Sequence, residues 1–118
     1  MLFTNTHEYL KVTKGKTARI GISHHAKDEL GEIIFVDLNA VKVGEVVEEG
    51  AEIASLESVK AAASVYAPIS CKLLKKNDDA LKEINIDSES SGWLWEVELK
   101  EESDKEKLLD LDSYKKLL

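Results

Sequence analysis

Alternating apolar and polar residues predict short β-strands over most of the chain. Residues 18–22 and 93–99 alternate apolar residues with polar or small ones, which is typical of half-buried strands. The segment 33–36 is apolar at every position, so we expect a central strand with both faces buried. Trp93 and Trp95 are expected to face the core or to pack beneath a C-terminal helix.

Two further strand-like segments, 53–59 and 61–67, flank Lys60. The second contains an alanine run that locally favours helix, but the residues leading to Pro68 favour a strand. A weak internal repeat relates residues 44–50 to residues 71–77, with its midpoint near Lys60. We therefore predict that Lys60 lies in an exposed turn between two similar halves, because burying an unpaired amine would be costly.

Three segments favour helices. They are residues 23–30, residues 77–84 and the C-terminal tail. Ser23 and Asn77 are the expected N-caps of the first two, and Gly31 is the expected stop of the first. In the tail, Ser103 and Glu106 match a capping box, and leucines between 108 and 118 form an apolar stripe.

Size and charge narrow the class of protein. Short strands joined by turns predict a small sandwich or flattened barrel, and 118 residues predict a single domain spanning 1–118. The net charge of −7 disfavours binding to nucleic acid or to acidic membranes. No apolar run has membrane-spanning length, and the N-terminus has no targeting pattern. The lone Cys71, expected as a small core residue, allows no internal disulfide, so we expect a cytoplasmic protein.

Candidate chemistry is concentrated at residues 57–61, Glu-Ser-Val-Lys-Ala. A protruding lysine is a poor catalyst because nothing desolvates its amine, but it is an accessible attachment point. From spacing alone, an ordinary solvated lysine is the commoner explanation. No catalytic constellation is visible, and adjacent His24 and His25 have no third strong ligand, so we predict neither a catalytic nor a metal site.

Residues 57–61 resemble the lipoylation motif of the glycine cleavage H-protein family. The resemblance extends to residues 7–9, 21–26, 30–38, 66–70, 92–94 and 113–117. It implies a mainly β fold: a lipoyl-type flattened β-barrel, or barrel-sandwich hybrid, of two antiparallel sheets with short helices and a helical C-terminus. It also implies lipoic acid joined by an amide bond to Lys60, with Glu57, Ser58, Val59 and Ala61 as the flanking motif.

The resemblance implies a carrier rather than an enzyme, with lipoate supplying the chemistry. Such a carrier serves glycine catabolism and one-carbon metabolism by moving the aminomethyl group of glycine. The implied partners are the glycine decarboxylase P protein, the aminomethyltransferase T protein, dihydrolipoyl dehydrogenase (the L protein) and a lipoate-attaching enzyme. Tethering raises the effective concentration of the group at each partner. We expect the carrier itself to be a monomer.

The resemblance also implies a cleft in which the loaded arm rests, with Glu8, His25 and Ser64 as its candidate residues. Ser64 stands where many family members have an aspartate, and Tyr9 and Cys71 replace a tryptophan and a glycine. With Ser64 not acidic, protection of the loaded arm is expected to depend mainly on Glu8.

Two other carrier roles remain open at this point. One is a lipoyl relay or regulatory carrier that passes lipoate or octanoate to subunits of dehydrogenase complexes. The other is a biotin carrier with a related fold, which is disfavoured because biotinyl lysines usually lie between methionines and the only methionine is Met1.

Overall fold

Two antiparallel sheets pack face to face in the computed structural model, which describes residues 1–118. The strands are β1 (Leu2–Phe3), β2 (Glu8–Lys14), β3 (Thr17–Ile22), β4 (Ile33–Asp37), β5 (Val46–Val47), β6 (Glu52–Ser58), β7 (Ala62–Tyr66), β8 (Cys71–Lys76) and β9 (Trp95–Leu99). One sheet has six strands in the order β1-β2-β3-β9-β8-β5, and the other has the order β4-β6-β7. The predicted pair of antiparallel sheets is confirmed, but they do not join into a closed barrel.

Short helices occupy the connections and the C-terminus. They are α1 (His24–Leu30), α2 (Ala80–Ile84), a 3₁₀ helix (Glu102–Lys107) and α3 (Leu111–Lys115). The predicted limits of α1 are confirmed: Ser23 accepts a hydrogen bond from the Ala26 N–H, and Gly31 ends the helix at a φ of 78°. None of the helices has the length and apolar character that crossing a bilayer requires.

The core lies between the sheets and is filled by the alternating strands that the sequence predicts. Trp95 is buried on β9. Its indole N–H donates a hydrogen bond to the Ile53 carbonyl of the opposite sheet, with 2.8 Å between nitrogen and oxygen. Trp93 is also buried and lies 4.7 Å beneath the Arg19 guanidinium. Cys71 is buried on β8, where burial raises the pKa of its thiol to about 12, as expected for an unreactive core residue.

The two copies of the weak repeat pair with each other at the edge of the six-stranded sheet. Val46 and Val47 of β5 pair antiparallel with Lys72 and Cys71 of β8. Gly50 ends the first copy at a φ of 87°, in the left-handed region. The repeat is therefore two adjacent strands of one sheet.

The prediction that 33–36 is a central strand is wrong, because β4 is the edge strand of the smaller sheet. Ile33 is buried, but Ile34 and Phe35 are half-exposed, and a register shift separates Ile33 from Phe35. The side-chain amide of Asn85 accepts from the Ile33 N–H and donates to the Ile33 carbonyl, both at 2.9 Å. Asn85 thus makes the two backbone hydrogen bonds that a neighbouring strand would make to Ile33.

Two predicted N-caps are also wrong. Asn77 lies two residues before the N-cap of α2, which is Asp79; its side-chain oxygen accepts from the Asp79 N–H, and its NH2 group donates to the Ser91 and Trp93 carbonyls. Ser103 lies within the 3₁₀ helix, so the Ser103–Glu106 capping box does not form, and α3 is capped by Asp110. Both segments match capping patterns locally, but α2 begins two residues later than its pattern predicts, and the tail divides into a 3₁₀ helix and a short α3.

The C-terminal helix is anchored by Tyr114 rather than by a leucine stripe, since Leu111, Leu117 and Leu118 are half-exposed. The Tyr114 ring stacks on Phe3 with 4.3 Å between ring centroids. Its hydroxyl lies 2.7 Å from both His7 Nδ1 and Ser23 Oγ. One side chain therefore joins the C-terminus to the turn before β2 and to the cap of α1.

A histidine–carboxylate hydrogen bond joins α1 to the loop before β9. His24 Nε2 lies 2.8 Å from Asp87 Oδ1, and this hydrogen bond raises the pKa of His24 and lowers the pKa of Asp87. The pair is solvent-exposed, so its contribution to stability is small.

Replacing Tyr114 by phenylalanine should lower the free energy of unfolding by about 1–2 kcal/mol, because the buried ring keeps its stacking but loses two hydrogen bonds. Urea denaturation of both proteins measures this difference. Tyr66→Phe is the matched control, since the Tyr66 hydroxyl makes no hydrogen bond and should matter little. Equal losses for the two variants would show that the Tyr114 hydroxyl does not anchor the helix.

Candidate functional site

Lys60 lies at the exposed tip of the hairpin formed by β6 and β7. Ser58 builds this tip. Its hydroxyl oxygen accepts hydrogen bonds from the N–H groups of Lys60 and Ala61, at 3.1 and 3.0 Å respectively. The Ala61 carbonyl in turn accepts from the Ser58 hydroxyl at 3.1 Å and from the Ser58 N–H at 2.8 Å. The small hydroxyl residue two positions before the lysine therefore fixes the turn from which Lys60 projects.

The loop between α1 and β4 supports the hairpin tip from below. The Val59 N–H donates a hydrogen bond to the Glu32 carbonyl, at a distance of 3.1 Å. A Cβ atom placed on Gly31 would lie 3.6 Å from Lys60 Cε, so the lysine stem passes over this glycine. Gly31 thus ends α1 in a left-handed conformation directly beneath the lysine stem.

The Lys60 amine is free and accessible. Lys60 takes part in no ion pair and no side-chain hydrogen bond, and the adjacent Val59 and Ala61 are exposed with it. Glu57, three residues earlier, is exposed and pairs in register with Phe35 on one side and Ala62 on the other. An unpaired, projecting amine is suited to acylation by another protein and unsuited to acid–base catalysis.

The second predicted site residue, Glu8, lies at the bottom of a cleft of about 370 Å³. Although Glu8 is buried, its carboxylate is well satisfied: Oε1 accepts from the hydroxyls of Thr4 (2.6 Å) and Thr6, and Oε2 accepts from the Tyr66 N–H (3.1 Å). A carboxylate has about four acceptor positions, so one remains for a donor in the cleft. Glu8 therefore combines a structural link to β7 with a negative charge at the cleft.

The rest of the cleft wall is part apolar and part polar: Asn5, Glu49 and Lys107 line it together with apolar residues, several of which come from the C-terminal segment. The apolar lining residues are Phe3, Tyr66, Ala67, Pro68, Leu108 and Leu109. Phe3 and Leu109 also exchange backbone hydrogen bonds of 2.8 Å in both directions. The cleft can therefore hold an alkyl chain ending in a cationic group.

Neither Ser64 nor His25 lines this cleft. Ser64 is exposed on β7, between Ala62 and Tyr66 on the same face, so it lies between Lys60 and the cleft. His25 lies on α1. Its Nε2 atom is 2.9 Å from Glu29 Oε1, and its ring centroid is 4.9 Å from that of His7. Their roles in holding an arm stay predictions.

Sequence reasoning missed the groups that hold Glu8 in place. Thr4 and Thr6 reach Glu8 because the chain turns sharply at His7, whose φ of 74° is the only left-handed value outside glycine. The segment Thr-Asn-Thr-His-Glu contains short hydroxyl residues before an acid, but that pattern is too common to be diagnostic. The contribution of Leu108 and Leu109 depends on the return of the C-terminus and has no local signal.

A small β-sandwich with a free lysine at a hairpin tip and an acid-bottomed cleft beside the same hairpin defines a lipoyl-type carrier. The sequence profile of the family described as Glycine cleavage H-protein matches residues 1–118. The chain belongs to this family, which provides the lipoyl carrier of the glycine cleavage system.

Individual relatives agree with this assignment. The chain is 44% identical over 115 residues to the glycine cleavage system H protein of Thermotoga maritima, an alignment that covers 95% of this chain and 90% of the relative. It is 38% identical over 119 residues to the mitochondrial H protein of Drosophila melanogaster, covering 98% and 71% of the two chains. The crystal structure of a Mycobacterium marinum glycine cleavage system H protein superposes with a TM-score of 0.82 at 29% identity, covering 96% of this chain and 91% of that one.

Removing the Ser58 hydroxyl should loosen the hairpin tip. Ser58→Ala leaves the N–H groups of Lys60 and Ala61 to water, so we expect the free energy of unfolding to fall by about 1 kcal/mol. Amide hydrogen exchange at Lys60 and Ala61 should also become faster. Ser58→Thr keeps the hydroxyl and should retain slow exchange; fast exchange in the threonine variant alone would contradict this role.

Proposed function

We propose that residues 1–118 act as one carrier domain in which Lys60 bears lipoate through an amide bond. The free, projecting amine of Lys60 is the observation that carries this proposal. Attachment forms a C–N bond between the lysine nitrogen and an activated lipoate carboxyl, while the bond to the activating group breaks and the amine loses a proton. When bound, lipoate supplies a dithiolane that takes up an aminomethyl group and two electrons.

The protein contributes position and access rather than catalysis. Ser58 and the Gly31 loop hold the tip so that Lys60 and its neighbours Val59 and Ala61 point away from the core. Glu57 offers an exposed negative charge to the lipoate-attaching enzyme. We propose the P protein, the T protein and dihydrolipoyl dehydrogenase as the further partners, and a monomeric, cytoplasmic carrier that reaches each of them by its tether.

Glu8 is proposed to hold the ammonium end of the aminomethyl cargo while the arm rests on the carrier. β7 runs from Lys60 to the cleft, and its exposed face carries the small residues Ala62 and Ser64 before Tyr66. A carboxylate that keeps the amine protonated removes the electron pair that assists release of formaldehyde and ammonia. The apolar wall formed with Leu108 and Leu109 limits the access of water.

Lys60→Arg should carry no lipoate and should fold normally, because arginine keeps the positive charge but does not form this amide. Incubation with a lipoate ligase, lipoate and ATP, followed by intact-mass measurement and peptide mapping, tests this. Lys42→Arg and Lys72→Arg are the matched controls and should still gain one lipoyl group. An adduct on any other lysine of the parent protein would contradict the proposal.

Glu8→Gln should shorten the lifetime of the loaded carrier about fivefold, which corresponds to losing roughly 1 kcal/mol of charge-assisted hydrogen bonding. Glutamine keeps the hydrogen bond to Tyr66 and offers its amide to the two threonine hydroxyls, so the fold and lipoylation should persist. The carrier is loaded with P protein and glycine, both are removed, and formaldehyde release is followed over time.

The matched control for this experiment is Glu52→Gln, which neutralises an exposed carboxylate opposite Tyr66 in the β6–β7 ladder but outside the cleft. It should decay at the parent rate. Equal decay of Glu8→Gln and the parent would show that Glu8 does not protect the cargo.

A further inference from the structure

The outer face of the three-stranded sheet is bare. Its neighbouring residues form two rows across the strands, Phe35–Glu57–Ala62 and Asp37–Ser55–Ser64. Phe35, Glu57, Ala62 and Ser64 are exposed, and Asp37 and Ser55 are partly so. The opposite face of the same strands, with Leu56 and Val65, is buried in the core. An uncovered sheet face of this kind is available to a partner.

The composition of this face is unusual for a solvated surface. Beside the hairpin tip it carries one large apolar group, Phe35, which is 50% exposed, and two carboxylates, Glu57 and Asp37; Tyr66 and Glu52 lie at the far end of the same face, and none of these rows contains a cationic residue. Exposed Ile34 and Val59 extend the apolar surface toward the hairpin tip. A contiguous apolar patch with a rim of one charge sign is typical of an interaction site.

Register places this face beside the modified lysine. Phe35 is directly opposite Glu57, which precedes Lys60 by three residues, or roughly 10 Å at the rise of a strand. The Val59 N–H is bonded to the Glu32 carbonyl, which keeps the tip close to the start of β4. Because Lys60 must enter an active site to be acylated, the enzyme that acylates it has to approach this surface.

We propose that Phe35 is the apolar anchor of the surface bound by the lipoate-attaching enzyme, with Glu57 and Asp37 as its charged rim. The inference rests on the proposed function. The complementary surface on the enzyme is an apolar slot bordered by lysine or arginine side chains. Phe35 is the half-exposed aromatic of this face that lies beside the hairpin tip, and it fits such a slot, since aromatic anchors surrounded by weaker contacts dominate many interfaces.

The test is Phe35→Thr, which keeps a β-branched residue in the strand but removes the ring. Lipoylation of the unmodified carrier by a lipoate ligase is measured at varied carrier concentration, and carrier–ligase binding is measured directly by calorimetry. We expect KM for the carrier and Kd to rise about tenfold, with kcat changed less than about twofold. Val46→Thr is the matched control, because Val46 is 51% exposed on the other sheet; it should leave KM, Kd and the melting temperature unchanged.

The charged rim is tested by Glu57→Gln and Asp37→Asn, which keep hydrogen-bonding groups of the same size. Each should raise KM and should weaken the dependence of KM on ionic strength, because a screened attraction has been removed. Glu98→Gln, on the six-stranded sheet, serves as the control for net charge and should leave the salt dependence as in the parent.

The possible failures are distinguishable. If the parent protein is not lipoylated on Lys60, both the proposed function and this inference fall. If it is lipoylated but Phe35→Thr and Val46→Thr have the parent KM and Kd, only the inference is overturned. A parent dimer that becomes a monomer in Phe35→Thr, seen by analytical ultracentrifugation, would also overturn it, because a second copy of the chain would then cover this face.

Discussion

The hydrogen bond between Trp95 and Ile53 sets the relation between the two sheets. A buried indole N–H without a partner would cost about 1–3 kcal/mol, so it needs an acceptor inside the core. Ile53 provides one because the β6–β7 register shifts between Glu52 and Ala54, which leaves Ile53 outside the regular pairing. The bulge also buries Ile53 and Ala54 in succession. The strand that leads to Lys60 is thereby tied to the centre of the larger sheet.

Glu8 also links the two sheets, at the edge of the sandwich where β7 has no neighbouring strand. Its carboxylate takes the Tyr66 N–H, which points away from β6 at the free edge of β7, and the hydroxyls of Thr4 and Thr6 complete its coordination. A buried charge is tolerated only when it is paired or hydrogen-bonded in this way. The same arrangement leaves the negative charge at the bottom of a cleft whose wall is partly apolar, so the group that joins the sheets is also placed to meet a cationic group there.

The proposed resting and docking surfaces meet on the outer face of one sheet. Ala62 and Ser64 of β7 lead from Lys60 toward the cleft, and the same residues end the rows that begin at Phe35 and Asp37 of β4. On the proposed function, an arm at rest and a bound protein partner would therefore occupy neighbouring parts of this face.

Local sequence determined the strands and turns whose stabilising groups are neighbours in the chain. The Ser23 cap, the Gly31 stop, the alternation in β9 and the exposed turn at Lys60 depend on residues within a few positions, and these four predictions are confirmed. The family resemblance added the fold and the carrier role, which no periodicity could supply. Asn77 and Ser103 show the limit: Asn77 accepts the local hydrogen bond from the Asp79 N–H, yet α2 begins two residues later, and the Ser103 pattern falls inside a 3₁₀ helix.

Only the tertiary structure decided which strands are edges and which distant groups meet. An apolar run cannot show that β4 has a neighbour on one side only, because Asn85, 52 residues away, takes the place of the missing strand. Glu8 and Tyr66 are 58 residues apart, and the cleft wall includes Leu108 and Leu109 from the end of the chain. Such contacts depend on how the two sheets pack, and packing is a property of the whole core rather than of any segment within it.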